Sequence, residues 1–275
     1  MSDPNTDFKL GLLVAHMRVP GSSGSVEVLL QKRKGEAKLS IGAGDLLIIE
    51  AERNAASAMA KSALIGRLAM LHPRGSERSD IDYWFTCPRY GEIKLSPQTG
   101  SYADNQWLRH ARLLNIGYAG PYSSLISFLS IFEQVKRASR AGGRECPDAD
   151  LTVLLERLQI TGAYHHLLPQ ELLQLKELTW AERRQLRQLA LIARAMAAQP
   201  RLIILDEPYT GIEKPIWERI WKEILAPPER TVVIGHIAGA AQLSCDKPWR
   251  LHVYRSKSGE PSGVLRRIQF VRSSA

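Results

Sequence analysis

Two adjacent acids, Asp206 and Glu207, carry the clearest chemical potential in the chain. They follow an unbroken apolar run, Leu202-Ile203-Ile204-Leu205, and precede Pro208. Such a run fits a strand buried on both faces. In an open parallel sheet, ligands bind beyond the C-terminal ends of the strands, which is where these acids stand. The first acid suits a magnesium shell and the second can polarise a water. An acid pair after a single apolar strand is a weak signal by itself, so the elements around it decide its meaning.

Those elements read as an α/β domain with a largely parallel sheet. Leu46-Leu47-Ile48-Ile49 and Val232-Val233-Ile234 are two further short apolar runs of the buried-strand type. Leu186, Leu189, Ala190, Ala193 and Ala197 recur at helical spacing, as do Ile216, Ile220, Trp221, Ile224 and Leu225, which Pro227-Pro228 stops. Buried strands alternating with helices indicate parallel strands joined by helical crossovers. Residues 122–182 carry no clear buried strand and read as helical. Gly21-Ser22-Ser23-Gly24-Ser25 is a turn, and the chain from Asp246 reads as a strand pair or extended segment, with a basic tail over 251–275.

Bulk properties narrow the class. The chain has 275 residues, 44% hydrophobic and 24% charged. That excludes a disordered, collagen-like or fibrous protein and suits one domain spanning 1–275. Apolar runs all fall short of the roughly 18–20 residues that cross a bilayer. The polar start Met1-Ser2-Asp3-Pro4-Asn5 lacks the order of a signal peptide, and Cys87, Cys146 and Cys245 form neither a disulfide framework nor a metal pattern. A cytosolic chain is expected. The net charge of +9 favours an anionic partner or a solubilising surface. The arginines are spread along the chain without an aromatic-interleaved patch, so no nucleic acid is expected as partner.

The string Ala193-Arg194-Ala195, Gln199-Pro200-Arg201, Leu202 to Pro208 resembles the Walker B region of ATP-binding cassette (ABC) ATPases. Tyr209-Thr210-Gly211-Ile212-Glu213 follows where that family has its D-loop, with Glu213 in place of the usual Asp. Thr231-Val232-Val233-Ile234-Gly235-His236 looks like the family's switch strand and its histidine. The resemblance implies a P-loop NTPase-like parallel-sheet core, an N-terminal antiparallel β portion and a helical subdomain over about 122–182. By the same resemblance Glu207 and His236 would be catalytic, Asp206 and Ser62 would hold Mg, and Lys61 and Ser62 would bind ATP phosphate.

The sequence departs from that family at several points. A Walker A loop should read G-x-x-x-x-G-K-[ST]. Here Ala55-Ala56-Ser57-Ala58-Met59-Ala60-Lys61-Ser62 keeps the Lys-Ser pair but has alanine at each glycine position, after a lead-in through Glu52-Arg53-Asn54 that is too long. A phosphate loop needs φ > 0 at some positions and close approach of backbone N–H groups, and a Cβ obstructs both. Alanine instead favours extending the helix backward from Lys61, and a helix interior has no free N–H to offer an anion. The cradle is expected to be weak or absent, with Lys61 as an ordinary helix-surface lysine as the alternative to a phosphate contact. The Q-loop glutamine falls near Pro121, after Asn115-Ile116-Gly117-Tyr118-Ala119-Gly120. No aromatic lies between Phe8 and Tyr83, so the adenine platform near Met17 is missing, and Tyr83-Trp84-Phe85 reads as packing. In the signature region, Leu178-Thr179-Trp180-Ala181-Glu182 replaces both glycines and sits about one helical turn too far from Ala193. Thr179 and Glu182 instead form a capping box.

The expected function is a degenerate, catalytically impaired ABC-type nucleotide-binding subunit. It would attach to transmembrane permease subunits on the cytoplasmic face of the inner membrane, as a homodimer or as a heterodimer with an intact ATPase. Leu125, Phe128, Leu129, Ile131 and Phe132, within the stretch 117–140, supply apolar residues, many of them expected in the core and the rest facing those partners. Two alternatives stand beside it: a non-transport scaffold with the same fold, and a slow ATPase working through an altered loop.

Overall fold

The computed structural model describes residues 9–21, 24–29, 38–42, 45–69, 79–87, 91–95, 113, 115–120, 123–143, 145–225, 230–237, 249–255 and 265–272. Its N-terminal part is an antiparallel sheet. Strand β1 (Lys9–Gly21) pairs with β2 (Gly24–Leu29), β3 (Lys38–Gly42) and β5 (Ser79–Cys87), and β5 pairs with β6 (Gly91–Leu95). The β1–β2 hairpin closes between Gly21 and Gly24, at the Gly/Ser turn read from the sequence.

The second sheet is the core of the fold. Its order is β11-β10-β4-β9-β8-β7, where β4 is Leu46–Ala51, β7 is Ile116–Ala119, β8 is Leu202–Asp206, β9 is Thr231–Ile237, β10 is Trp249–Arg255 and β11 is Leu265–Arg272. The pairings from β10 to β7 are parallel, and β11 closes the sheet antiparallel to β10. Side chains of β4, β8 and β9 are buried along almost their whole length, as continuous apolar runs demand when helices cover both faces. The basic tail is therefore partly built into the sheet, as the expected strand pair.

Helix α1 (Ala55–Leu68) follows β4 and packs Leu64, Ile65 and Leu68 into the core. The region after β7 is helical: α2 (Ile131–Ala141), α3 (Asp148–Arg157), α4 (Gly162–His165), α5 (Pro169–Gln174) and α6 (Trp180–Met196). Helix α6 lays Leu186, Leu189, Ala190 and Ala193 against the sheet. Contact there is close enough that a Cβ on Gly117 would sit 2.1 Å from the Ala195 carbonyl oxygen. Helix α7 (Lys214–Ile220) ends in a π-type turn over Trp221–Leu225, short of the paired prolines.

Candidate functional site

The candidate site lies where β4, β8 and β9 end. Parallel register sets Asp206 beside Gly235 and Glu50 beside His236. The chain thus delivers two acids and a histidine to one edge of the sheet from strands far apart in sequence.

Helix α1 begins at Ala55, six residues before Lys61. Asn54 caps it: its side-chain oxygen accepts from the Ser57 N–H at 2.8 Å, and its carbonyl accepts from Ala58 N–H at 3.0 Å. This is the outcome alanine propensity predicts. The stretch where a glycine loop would curl is a helix, with its N–H groups turned to helical bonding.

Lys61 is not a surface lysine; it is 1% exposed. Its Nζ donates to Asp206 Oδ1 at 2.6 Å and to Glu207 Oε1. Asp206 is itself buried, and its Oδ2 is shut off from solvent without a hydrogen-bond partner among the described residues. Glu207 adopts φ +54°, the left-handed region that favours glycine. Its N–H donates to the Gly235 carbonyl at 2.9 Å, which holds that backbone in place. Gly235 makes room here, because a Cβ would fall 1.9 Å from Ile65 Cδ1 and 2.9 Å from Asp206 Oδ1, both side-chain atoms that would have to shift. Gly120, beyond β7, approaches from the other side, where a Cβ would lie 2.8 Å from Asp206 Cβ.

His236 is buried, with Nδ1 3.0 Å from the Ile237 carbonyl, so Nδ1–H is the donor there. Its Nε2 stands 4.0 Å from Glu50 Oε1, within charge-pair reach but beyond hydrogen-bond length. Tyr209 sets its ring edge against His236, with centroids 6.0 Å apart, and against Trp217 at 5.3 Å. Burial pushes the Tyr209 phenol far above its ordinary range, and the charges of Glu207, Glu50 and Asp206 push it the same way. Ser62 is half-buried on α1.

The structure therefore brings Lys61, Asp206 and Glu207 into direct contact and sets His236 on the neighbouring strand. Glu50 and Tyr209 join them, two residues that spacing alone did not single out as site residues. Their signal was positional: Glu50 is the last residue but one of β4, paired with the histidine, and Tyr209 lies two residues past Glu207. The Q-loop position Pro121 lies outside the described residues, as do the side chains of Met17 and of Tyr83, Trp84 and Phe85.

The arrangement does not fit the Mg-ATP that the sequence resemblance implies. A triphosphate needs a ring of free N–H groups, and from Ser57 onward the Asn54 cap and the helix have used them. Magnesium needs the acids' oxygens, and the Lys61 ammonium holds one oxygen of each. The signature position is likewise closed. Thr179 caps α6 by accepting from Glu182 N–H at 3.3 Å, and the Glu182 carboxylate takes the Thr179 N–H and hydroxyl, each at 2.7 Å. Trp180, the first residue of α6, is 70% exposed, with the Arg184 guanidinium 5.2 Å from its ring centroid.

The apolar segment ahead of α2 divides. Leu129 and Ile131 are core, as expected of many in this cluster, because the turn into α2 folds them inward. Leu125 and Phe132 are partly buried against the same core. Phe128 is 72% exposed, and its neighbour Ile126 also faces solvent.

No protein-family model matches the chain. Its fold is that of an ABC transporter ATPase cassette, an α/β P-loop NTPase-like architecture. It superposes with a TM-score of 0.64 on the dimeric structure of MJ0796, a bacterial ABC transporter cassette, at 16% identity over 96% of this chain and 100% of that one. The post-hydrolysis dimer of the same cassette bound to ADP and Pi gives 0.60, again at 16% identity. Over 60 residues the chain is 37% identical to Nod factor export ATP-binding protein I of Neorhizobium galegae, a stretch covering 20% of this chain and 17% of that relative.

Proposed function

We propose that the chain serves as a nucleotide-binding subunit of an ABC transporter whose own site does not turn over ATP. One observation carries this reading: α1 runs as helix from Ala55 through the place of the phosphate loop. The fold, matched across 96% of the chain to a transporter cassette, and the short likeness to an ATP-binding protein of an export system support the transporter setting. On this reading the chain contributes contacts rather than catalysis. It docks on transmembrane permease subunits at the cytoplasmic membrane face and pairs with itself or with an intact ATPase. Its net charge of +9 suits an anionic membrane surface, and the exposed Phe128 suits an apolar partner contact.

The test is equilibrium binding of labelled ATP with magnesium to the purified chain, alongside Lys61→Ala. No saturable binding up to millimolar ATP is expected. Saturable binding that Lys61→Ala abolishes would overturn the reading and favour slow hydrolysis through Glu207 and His236.

A further inference from the structure

We propose that Lys61 is a tethered counter-cation, permanently taking the place of a divalent metal at the Asp206–Glu207 pair. The proposal rests on the reading that this site does not cycle ATP. Two neighbouring carboxylates, one of them fully enclosed, cannot both stay ionised in a dry site without a cation among them. Here the chain supplies it. Starting α1 at Ala55 places Lys61 in the second turn of a continuous helix, pinned by the Asn54 cap at one end and by Leu64, Ile65 and Leu68 in the core at the other. The ammonium is thereby delivered to Asp206 Oδ1 at 2.6 Å and to Glu207 Oε1.

The same contact ties together two elements far apart in sequence. It joins α1 to the end of β8, and it holds the side chain of Glu207 while Gly235 holds its left-handed backbone. The ammonium offsets one of the pair's two negative charges and occupies one oxygen of each acid without metal or nucleotide, so a divalent cation has less to neutralise and would have to displace it. Removing the ammonium, and nothing else, should leave two carboxylates in want of a metal.

The experiment uses Mn2+ as probe, without nucleotide, on the wild-type chain and on Lys61→Met. Bound Mn2+ is counted by paramagnetic resonance, and Tm is followed with and without millimolar Mg2+. Wild type is expected to bind no Mn2+ and to keep its Tm when Mg2+ is added. Lys61→Met is expected to melt roughly 5–15 °C lower, to take up Mn2+ stoichiometrically and to recover part of its Tm in Mg2+. Mn2+ uptake by wild type, or a folded Lys61→Met chain that gains no Mn2+ whatever its Tm, overturns the proposal. If Lys61→Met fails to fold, Lys61→Met/Asp206→Asn/Glu207→Gln decides: recovery of a folded chain supports charge neutralisation as the lysine's work, and failure overturns it. A wild type that ignores Mn2+ alone but binds Mg-ATP retires the reading of function, while the counter-cation still stands or falls on the Mn2+ gained by Lys61→Met.

Discussion

Lys61 Nζ and Asp206 Oδ1 meet at 2.6 Å across 145 residues of chain, with both side chains closed to solvent. A buried ion pair adds little over an apolar pair of the same shape, but breaking one from a single side strands a charge. Lys61→Met, which strands both carboxylates, is therefore expected to cost about 3–5 kcal/mol in unfolding free energy, and Asp206→Asn, which leaves the ammonium on Glu207, is expected to cost less. The double variant should lose less than the two single losses combined, because it strands fewer charges. Denaturant midpoints of the four chains measure this. Additive losses would show that the two groups do not act on one another.

Gly235 is the tightest point between β9 and α1. A Cβ there would meet Ile65 Cδ1 at 1.9 Å, a side-chain atom that can be removed. Gly235→Ala is expected to cost about 1–3 kcal/mol by overpacking, and Ile65→Val in the same chain to recover part of that loss. Gly117 provides the contrast, because its added Cβ would strike the Ala195 carbonyl oxygen, a backbone atom, at 2.1 Å. Shortening a side chain is not expected to rescue Gly117→Ala. Thermal melts of these variants test both statements.

Local physics made much of this fold legible. The apolar runs ending at Ile49, Leu205 and Ile234 all lie on buried parallel strands, since no other element satisfies a short, fully apolar run so well. The early start of α1 followed from alanine propensity, and the Thr179–Glu182 box from its spacing. Lys61 was misjudged as a candidate surface residue because its burial depends on acids 145 residues away, which no local pattern reports. That Leu129 and Ile131 are the ones to turn inward was hidden for the same reason: an apolar cluster has the same composition whether it faces a partner or its own core. The left-handed backbone at Glu207 left no trace in residue type, because glycine, the usual mark, is absent there.

Phe128 is 72% exposed beside core residue Leu129. An aromatic held in water next to a packed turn contributes little to folding, so Phe128→Ser is expected to leave the unfolding free energy within about 0.5 kcal/mol of wild type. If this face meets a membrane-embedded partner, the same variant should lower the fraction of chain sedimenting with membranes that carry that partner. Unchanged sedimentation would remove Phe128 from the docking surface.

Thr179 and Glu182 cap α6 reciprocally, and hydrogen bonds from the Thr179 hydroxyl and backbone hold the Glu182 carboxyl below its ordinary value of 4.5. A folded-state value lowered in this way stabilises the fold above the unfolded value. That contribution is lost as pH falls through the lowered folded value. Thr179→Ala is expected to lower Tm by a few degrees at neutral pH. The deficit should narrow below pH 4.5 without vanishing, because the hydroxyl also accepts from Glu182 N–H, a bond that does not titrate. A deficit independent of pH would mean that the carboxylate takes no part in the cap.

The Tyr209 hydroxyl is buried with no hydrogen-bond partner among the described residues, while its ring packs edge-on to Trp217 and His236. A buried hydroxyl left unpaired costs about 1–3 kcal/mol, so removing it should not harm the fold. Tyr209→Phe is expected to melt at or above the wild-type temperature, whereas Tyr209→Ala should lose about 3–5 kcal/mol with the ring. Burial and the surrounding acids also keep this phenol from ionising near its ordinary value of 10. The difference spectrum of wild type against Tyr209→Phe should therefore show no phenolate absorption as the pH is raised through that value. A phenolate band there, or a Tyr209→Phe chain clearly less stable than wild type, would show that the hydroxyl has found a partner in solution and that the site is wetter than its packing implies.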